Sequence, residues 1–66
     1  MTIQLNGKPR EIEAGTTLRR LLDDLHLDAL RVAVQVNLEI VKRERHASVA
    51  LGPGDEVEIL TFMAGG

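Results

Sequence analysis

Thr16-Thr17-Leu18-Arg19-Arg20-Leu21-Leu22-Asp23-Asp24-Leu25 is the stretch on which the fold turns. Leu18, Leu21, Leu22 and Leu25 fall at i, i+3, i+4 and i+7, one face of an amphipathic helix, with Arg19, Arg20, Asp23 and Asp24 on the other. The threonines ahead of it offer a hydroxyl N-cap after the break at Ala14-Gly15. The spacing predicts a helix ending near His26 to Asp28. Its leucine stripe lasts only two turns, too short for a dimer seam, so it reads as core packing. A single helix can cover one face of one sheet, and the rest of the chain must supply that sheet.

Moving outward, Ile3 and Leu5 alternate with Thr2 and Gln4, the period of a half-buried strand. Asn6-Gly7 follows, and a type I′ turn needs positive φ at both central residues, which this pair tolerates. Arg10 to Glu13 is expected to return with Ile12 inward, and Pro9, lacking an amide proton, suits the strand start or an edge. Val32, Val34 and Val36 alternate in a third strand. Asn37-Leu38 reads as a turn, Glu39 to Lys42 as a fourth strand, and Arg43 to Leu51 as irregular with room for one helical turn. Gly52-Pro53-Gly54-Asp55 is a turn cluster before a last strand, Glu56 to Phe62. The order is ββ-α-ββ-β: an α+β chain with a mixed sheet of about five strands on one main helix. This layout is similar to the ubiquitin-like β-grasp, in which the first and last strands lie side by side at the sheet centre, although composition alone admits other small α+β folds.

Sixty-six residues make one small domain, expected as a body over 1–62 and a flexible tail over 63–66. A domain of this size buries only about 60% of the surface its unfolded chain exposes, leaving little room for an enclosed catalytic pocket. The formal charge of −2, from 8 basic and 10 acidic residues, and a single aromatic, Phe62, argue against a nucleic-acid footprint. The basic cluster of Lys42, Arg43 and Arg45 is interrupted by Glu44 and reads as a solvated loop. With no cysteine there is no thiol nucleophile, disulfide or thiolate metal site, which fits a cytoplasmic protein. The apolar runs are short and broken by charges, so no membrane span is expected. His26 at the helix end, where its charged form would complement the dipole, and His46 in a loop are both expected on the surface. Asp23-Asp24 lies on a solvated helix face, and no metal cluster or phosphate-cradling loop stands out.

In the last strand Val57 and Ile59 are assigned inward, which turns Leu60 and Phe62 to solvent beside Ala64-Gly65-Gly66. Grouped exposed apolar residues at a functional end suggest a docking patch, and Met63 can extend it with an adaptable side chain. Glycine lacks a Cβ, so the tail suits a narrow tunnel and leaves the Gly66 carboxylate uncrowded. The competing reading is a frayed terminus without function.

Taken together, Ile3-Gln4-Leu5-Asn6-Gly7, Ala14-Gly15-Thr16-Thr17-Leu18, Leu21-Leu22, Val32-Ala33-Val34-Gln35-Val36-Asn37, Ile40-Val41 with Arg43, Gly54-Asp55-x-Val57-Glu58-Ile59 and Gly65-Gly66 resemble the sulfur carrier proteins of thiamin (thiazole) biosynthesis. The resemblance covers nearly the whole chain. It implies a carrier, not an enzyme, with no cofactor of its own. An adenylating, ubiquitin-activating-like enzyme uses ATP to adenylate the Gly66 carboxylate, and a persulfide sulfur from a cysteine desulfurase or rhodanese-like donor displaces AMP. Thiazole synthase then accepts sulfur from the resulting thiocarboxylate. Gly66 is the one covalent participant, Gly65 and Ala64 thread the partners' clefts, and Leu60, Phe62 and Met63 form the docking face. Arg43 matches a recurring loop position and could meet an acidic partner residue, or else pair locally with Glu44 or Glu39. Lys42 departs from the proline common there. A sulfur carrier for molybdopterin, cysteine or thionucleoside synthesis, a ubiquitin-like protein modifier, and an inert β-grasp interaction module share the same pattern.

Overall fold

The computed structural model describes residues 1–62, whose five strands form one mixed sheet in the order β2-β1-β5-β3-β4. The strands are β1 (Thr2–Leu5), β2 (Lys8–Glu11), β3 (Val32–Val36), β4 (Glu39–Val41) and β5 (Glu56–Thr61). One helix, α1 (Leu18–Asp24), and two single 3₁₀ turns, Ala29–Arg31 and Arg43–Arg45, are the other elements among the described residues. β1 and β5 run parallel at the centre, and every other neighbouring pair is antiparallel. This is the expected β-grasp arrangement of first and last strands side by side.

The core lies between α1 and one sheet face. Leu18, Leu21 and Leu22 of the stripe meet Ile3, Val32, Val34, Val57 and Ile59, with Leu51 from the long loop. Thr17 caps α1 as its sequence suggests, its Oγ1 accepting from the Arg20 amide at 3.1 Å. The Leu18 and Arg19 amides donate instead to the carbonyls of Val49 and His46, both at 3.0 Å. The 43–51 loop therefore satisfies helix donors that would otherwise lack partners. Arg20 is exposed, and its hydrogen bond to Asp24 holds its proton more firmly than usual.

Four elements differ in their bounds from expectation. α1 stops at Asp24, earlier than His26 to Asp28, because His26 takes a φ of 58°. The Leu27 amide then donates to Leu22 O and the His26 amide to Asp23 O, a Schellman closure with histidine where glycine is usual. β2 begins at Lys8, so Ile12 falls just past it, bonded both ways to Met1 and partly buried against the core. Pro9 pairs opposite Gln4 on the sheet edge, where its missing amide hydrogen leaves no ladder bond unmade. β4 and β5 each end one residue short of expectation, at Val41 and Thr61.

Candidate functional site

β5 presents its two faces as the alternation requires. Val57 and Ile59 are 1% and 7% exposed, whereas Leu60 and Phe62 are 61% and 60% exposed. Leu60 lies opposite Ala33, and the next row across the outer face reads Glu58, Gln35, Ile40. The apolar residues of this face, Ala33, Ile40 and Leu60, continue into Phe62, whose amide donates to the Arg31 carbonyl at 2.8 Å. Glu56 and Glu58 of β5 and Glu11 of β2 share the same face by register, so its charge is acidic.

The strand carrying this patch is gripped from both flanks by turn asparagines. Asn6, with a φ of 50°, stands where β1 turns away. Its amide takes over the ladder: Oδ1 accepts from the Ile59 amide at 2.7 Å, and Nδ2 donates to the Ile59 carbonyl at 3.3 Å. On the other flank Asn37, with a φ of 51°, accepts from the Glu56 amide at 3.0 Å and donates to Asp55 Oδ1 at 3.1 Å. Asp55 is itself fixed by the Gly52 amide, which donates to its Oδ2 at 2.7 Å. Both asparagines are legible as turn residues, but their grip on β5 depends on a register that local sequence does not carry.

Arg43 stands elsewhere. It opens the second 3₁₀ turn and lines an open groove in the helix layer with Arg19, Asp23, Asp28, Glu44 and His46. Among the described residues it makes no ion pair, neither with Glu44 nor with Glu39. The structure thus brings Leu60 and Phe62 together and places Arg43 in a different layer. Met63, Ala64, Gly65 and Gly66 lie outside the described residues.

His46 is not a surface residue. It is 3% exposed, its Nε2 lies 3.1 Å from the Val41 carbonyl, and its Nδ1 is buried without a hydrogen-bond partner among the described residues. The loop from Lys42 to Ala50 supplies only Val49 as a large apolar residue, so the imidazole fills the space beneath it. That scarcity is the one sequence signal that could have placed it inside. His26 is exposed, as expected. Among the described residues no three His, Cys, Asp or Glu side chains gather in a metal-binding arrangement, and no helix is long and apolar enough to cross a membrane.

The model of the ThiS family matches residues 3–66. The chain belongs to this family. The ThiS-family sequence is 38% identical over 65 residues to the sulfur carrier protein ThiS of Bacillus subtilis, covering 97% of this chain and 98% of that one. A crystal structure of the thiamine biosynthesis protein ThiS from Geobacter metallireducens superposes with a TM-score of 0.86 at 35% identity, over 100% of both chains. The thiazole synthase of Paramagnetospirillum magneticum is 42% identical over 66 residues, all of this chain but only 20% of that protein's length. ThiS-family membership and the superposition establish the ubiquitin-like β-grasp. Relatives in Bacillus subtilis, Thermus thermophilus and Escherichia coli are named sulfur carrier protein ThiS, whereas the chain spans about a fifth of the length of the two thiazole synthases it matches.

Proposed function

We propose that this protein carries sulfur on its C-terminal glycine for the synthesis of the thiamin thiazole. One observation carries the reading: a central strand, held on both flanks, ends in exposed Leu60 and Phe62 directly before Met63-Ala64-Gly65-Gly66. Likeness to proteins named as ThiS sulfur carriers supports it. The matching segment inside two thiazole synthases supports thiazole formation over other sulfur pathways.

The chemistry follows from the poor electrophilicity of a carboxylate. An adenylating enzyme brings ATP, and a Gly66 oxygen attacks the α-phosphorus and expels pyrophosphate. The acyl-adenylate has AMP as a good leaving group. A persulfide, regenerated by a cysteine desulfurase, attacks the acyl carbon and releases AMP. A thiol then cleaves the S–S bond, leaving a thiocarboxylate on Gly66 and a disulfide on the donor. Thiazole synthase takes the sulfur and the carboxylate returns.

In this cycle the protein binds no cofactor and acts as co-substrate of both enzymes, in the cytoplasm. Leu60, Phe62 and Met63 dock, Gly65 and Ala64 pass through the cleft, and Arg43 offers a cation to a partner carboxylate. An intact-mass spectrum after incubation with the host's soluble extract, ATP, cysteine and a reductant tests the reading. A gain matching oxygen-to-sulfur exchange at Gly66, absent when Gly66 is deleted, is expected. No gain, in an extract that loads a known carrier, rejects it. Phe62→Asp should weaken binding to the adenylating enzyme while the thermal midpoint stays within a few degrees. Unchanged affinity removes Phe62 from the docking face.

A further inference from the structure

On the reading that Gly66 is the reacting residue, the structure also bears on how a partner grips the chain beside it. Along the β1 flank of β5, Asn6 N–H meets the Val57 carbonyl at 2.8 Å, and the Asn6 amide meets both backbone groups of Ile59. Strand groups alternate between flanks, so the next pair turned to this side is the N–H and C=O of Thr61. On the opposite flank the Phe62 amide is already spent on Arg31. Beyond Asn6 the chain turns at Gly7 into β2, and among the described strands none lies beside Thr61 on the β1 flank. The centre of the sheet thus becomes, for its last residue, an open edge.

We propose that this half-edge is where an extended segment of the adenylating enzyme adds as a strand, beginning at the Thr61 backbone. Two observations select that occupant. Residues 63–66 span at most about 14 Å when fully extended, so an active site that reaches Gly66 must bring its own backbone close to Thr61 and Phe62. Ala64-Gly65-Gly66 also offers almost no side chain to recognise. Affinity along it must come from main-chain hydrogen bonds, as in strand addition, while pockets take the alternate side chains. Here those side chains are Leu60 and Phe62, on one face of the strand to be joined. The Asn6 amide closes the position before Thr61, which fixes the register at which addition starts.

Amide exchange at Thr61 tests this, read by NMR on the free protein and on its complex with the host's adenylating enzyme and ATP. The Thr61 amide should exchange freely alone and slow by roughly tenfold or more in the complex, the factor one such hydrogen bond supplies. Thr61→Pro removes the outward donor while also fixing φ there, so in a variant whose NMR spectrum shows the native fold it should cut loading efficiency by a similar factor, whereas Thr61→Val should load normally. A complex that loads Gly66 while the Thr61 amide exchanges as in the free protein overturns strand addition and leaves the carrier function standing. Concentration-dependent protection without the enzyme assigns the edge to a second copy, and concentration-independent protection assigns it to the protein's own tail; either overturns the proposal. An enzyme that neither binds nor loads the protein overturns both readings.

Discussion

At Ile59 a side chain, the Asn6 amide, supplies the hydrogen bonds that a strand backbone would normally supply, from 53 residues away in sequence. Asn6→Gly still tolerates the positive φ and removes that amide, while adding some freedom to the unfolded chain. It should cost about 1–3 kcal/mol, the penalty of stranding a part-buried donor, seen as a lower urea midpoint with an unchanged slope. No loss of stability would mean that water replaces the amide. Leu38 carries the opposite imbalance: it holds a φ of 71° and is 86% exposed at the β3–β4 turn. A left-handed conformation costs a branched side chain roughly 1–2 kcal/mol, and nothing among the described residues packs on it in return. Leu38→Gly should raise the thermal midpoint by a few degrees, and a fall would reveal a contact made by the leucine. Turn residues were legible at both sites because φ preference is local. The amide clamp was not, because it exists only once β1 and β5 are in register.

Among the elements, the strands and turns follow the sequence closely because alternation and turn chemistry are short-range signals. The end of α1 does not. Its Schellman closure places His26 where glycine would have announced the stop, and the missing glycine hid the boundary. The 43–51 loop was the least legible element, since its order comes from its neighbours. Its carbonyls cap α1, its Thr17–Ala50 bridge ties it to the helix start, and His46 fills the space under it. His46→Ala should remove both the packing and the hydrogen bond to Val41, costing roughly 2–4 kcal/mol in urea unfolding. It should also speed amide exchange at Leu18 and Arg19, whose acceptors sit in that loop. Exchange unchanged at those two amides would show that the loop holds its shape without the imidazole.

For the whole molecule the outer face was legible and Arg43's place was not. Alternation in Glu56 to Phe62 fixes which side chains face solvent, whereas the packing of Arg43 in the helix layer depends on how an irregular loop folds back. The core is thin. At about 0.05–0.15 kcal/mol per residue, a chain of this length has roughly 3–10 kcal/mol of stability in all. Leu21, 1% exposed, sits at its centre. Leu21→Ala should cost about 2–5 kcal/mol and leave a large unfolded fraction at 37 °C, checked by circular dichroism; a loss under about 1 kcal/mol would mean that the helix repacks over the gap. The parallel pairing of Gln4 with Glu56 and Leu5 with Val57 has a further consequence, one of timing. The middle of the sheet is built from the two ends of the chain, so during synthesis the first hairpin and α1 have no partner strand until β5 leaves the ribosome. A nascent or clipped chain that stops before β5 cannot assemble the outer face, because Glu58, Leu60 and Phe62 are part of what is missing. A chain cut before β5 therefore loses the sheet's centre and the apolar patch together, whereas a chain lacking only Gly66 loses no strand.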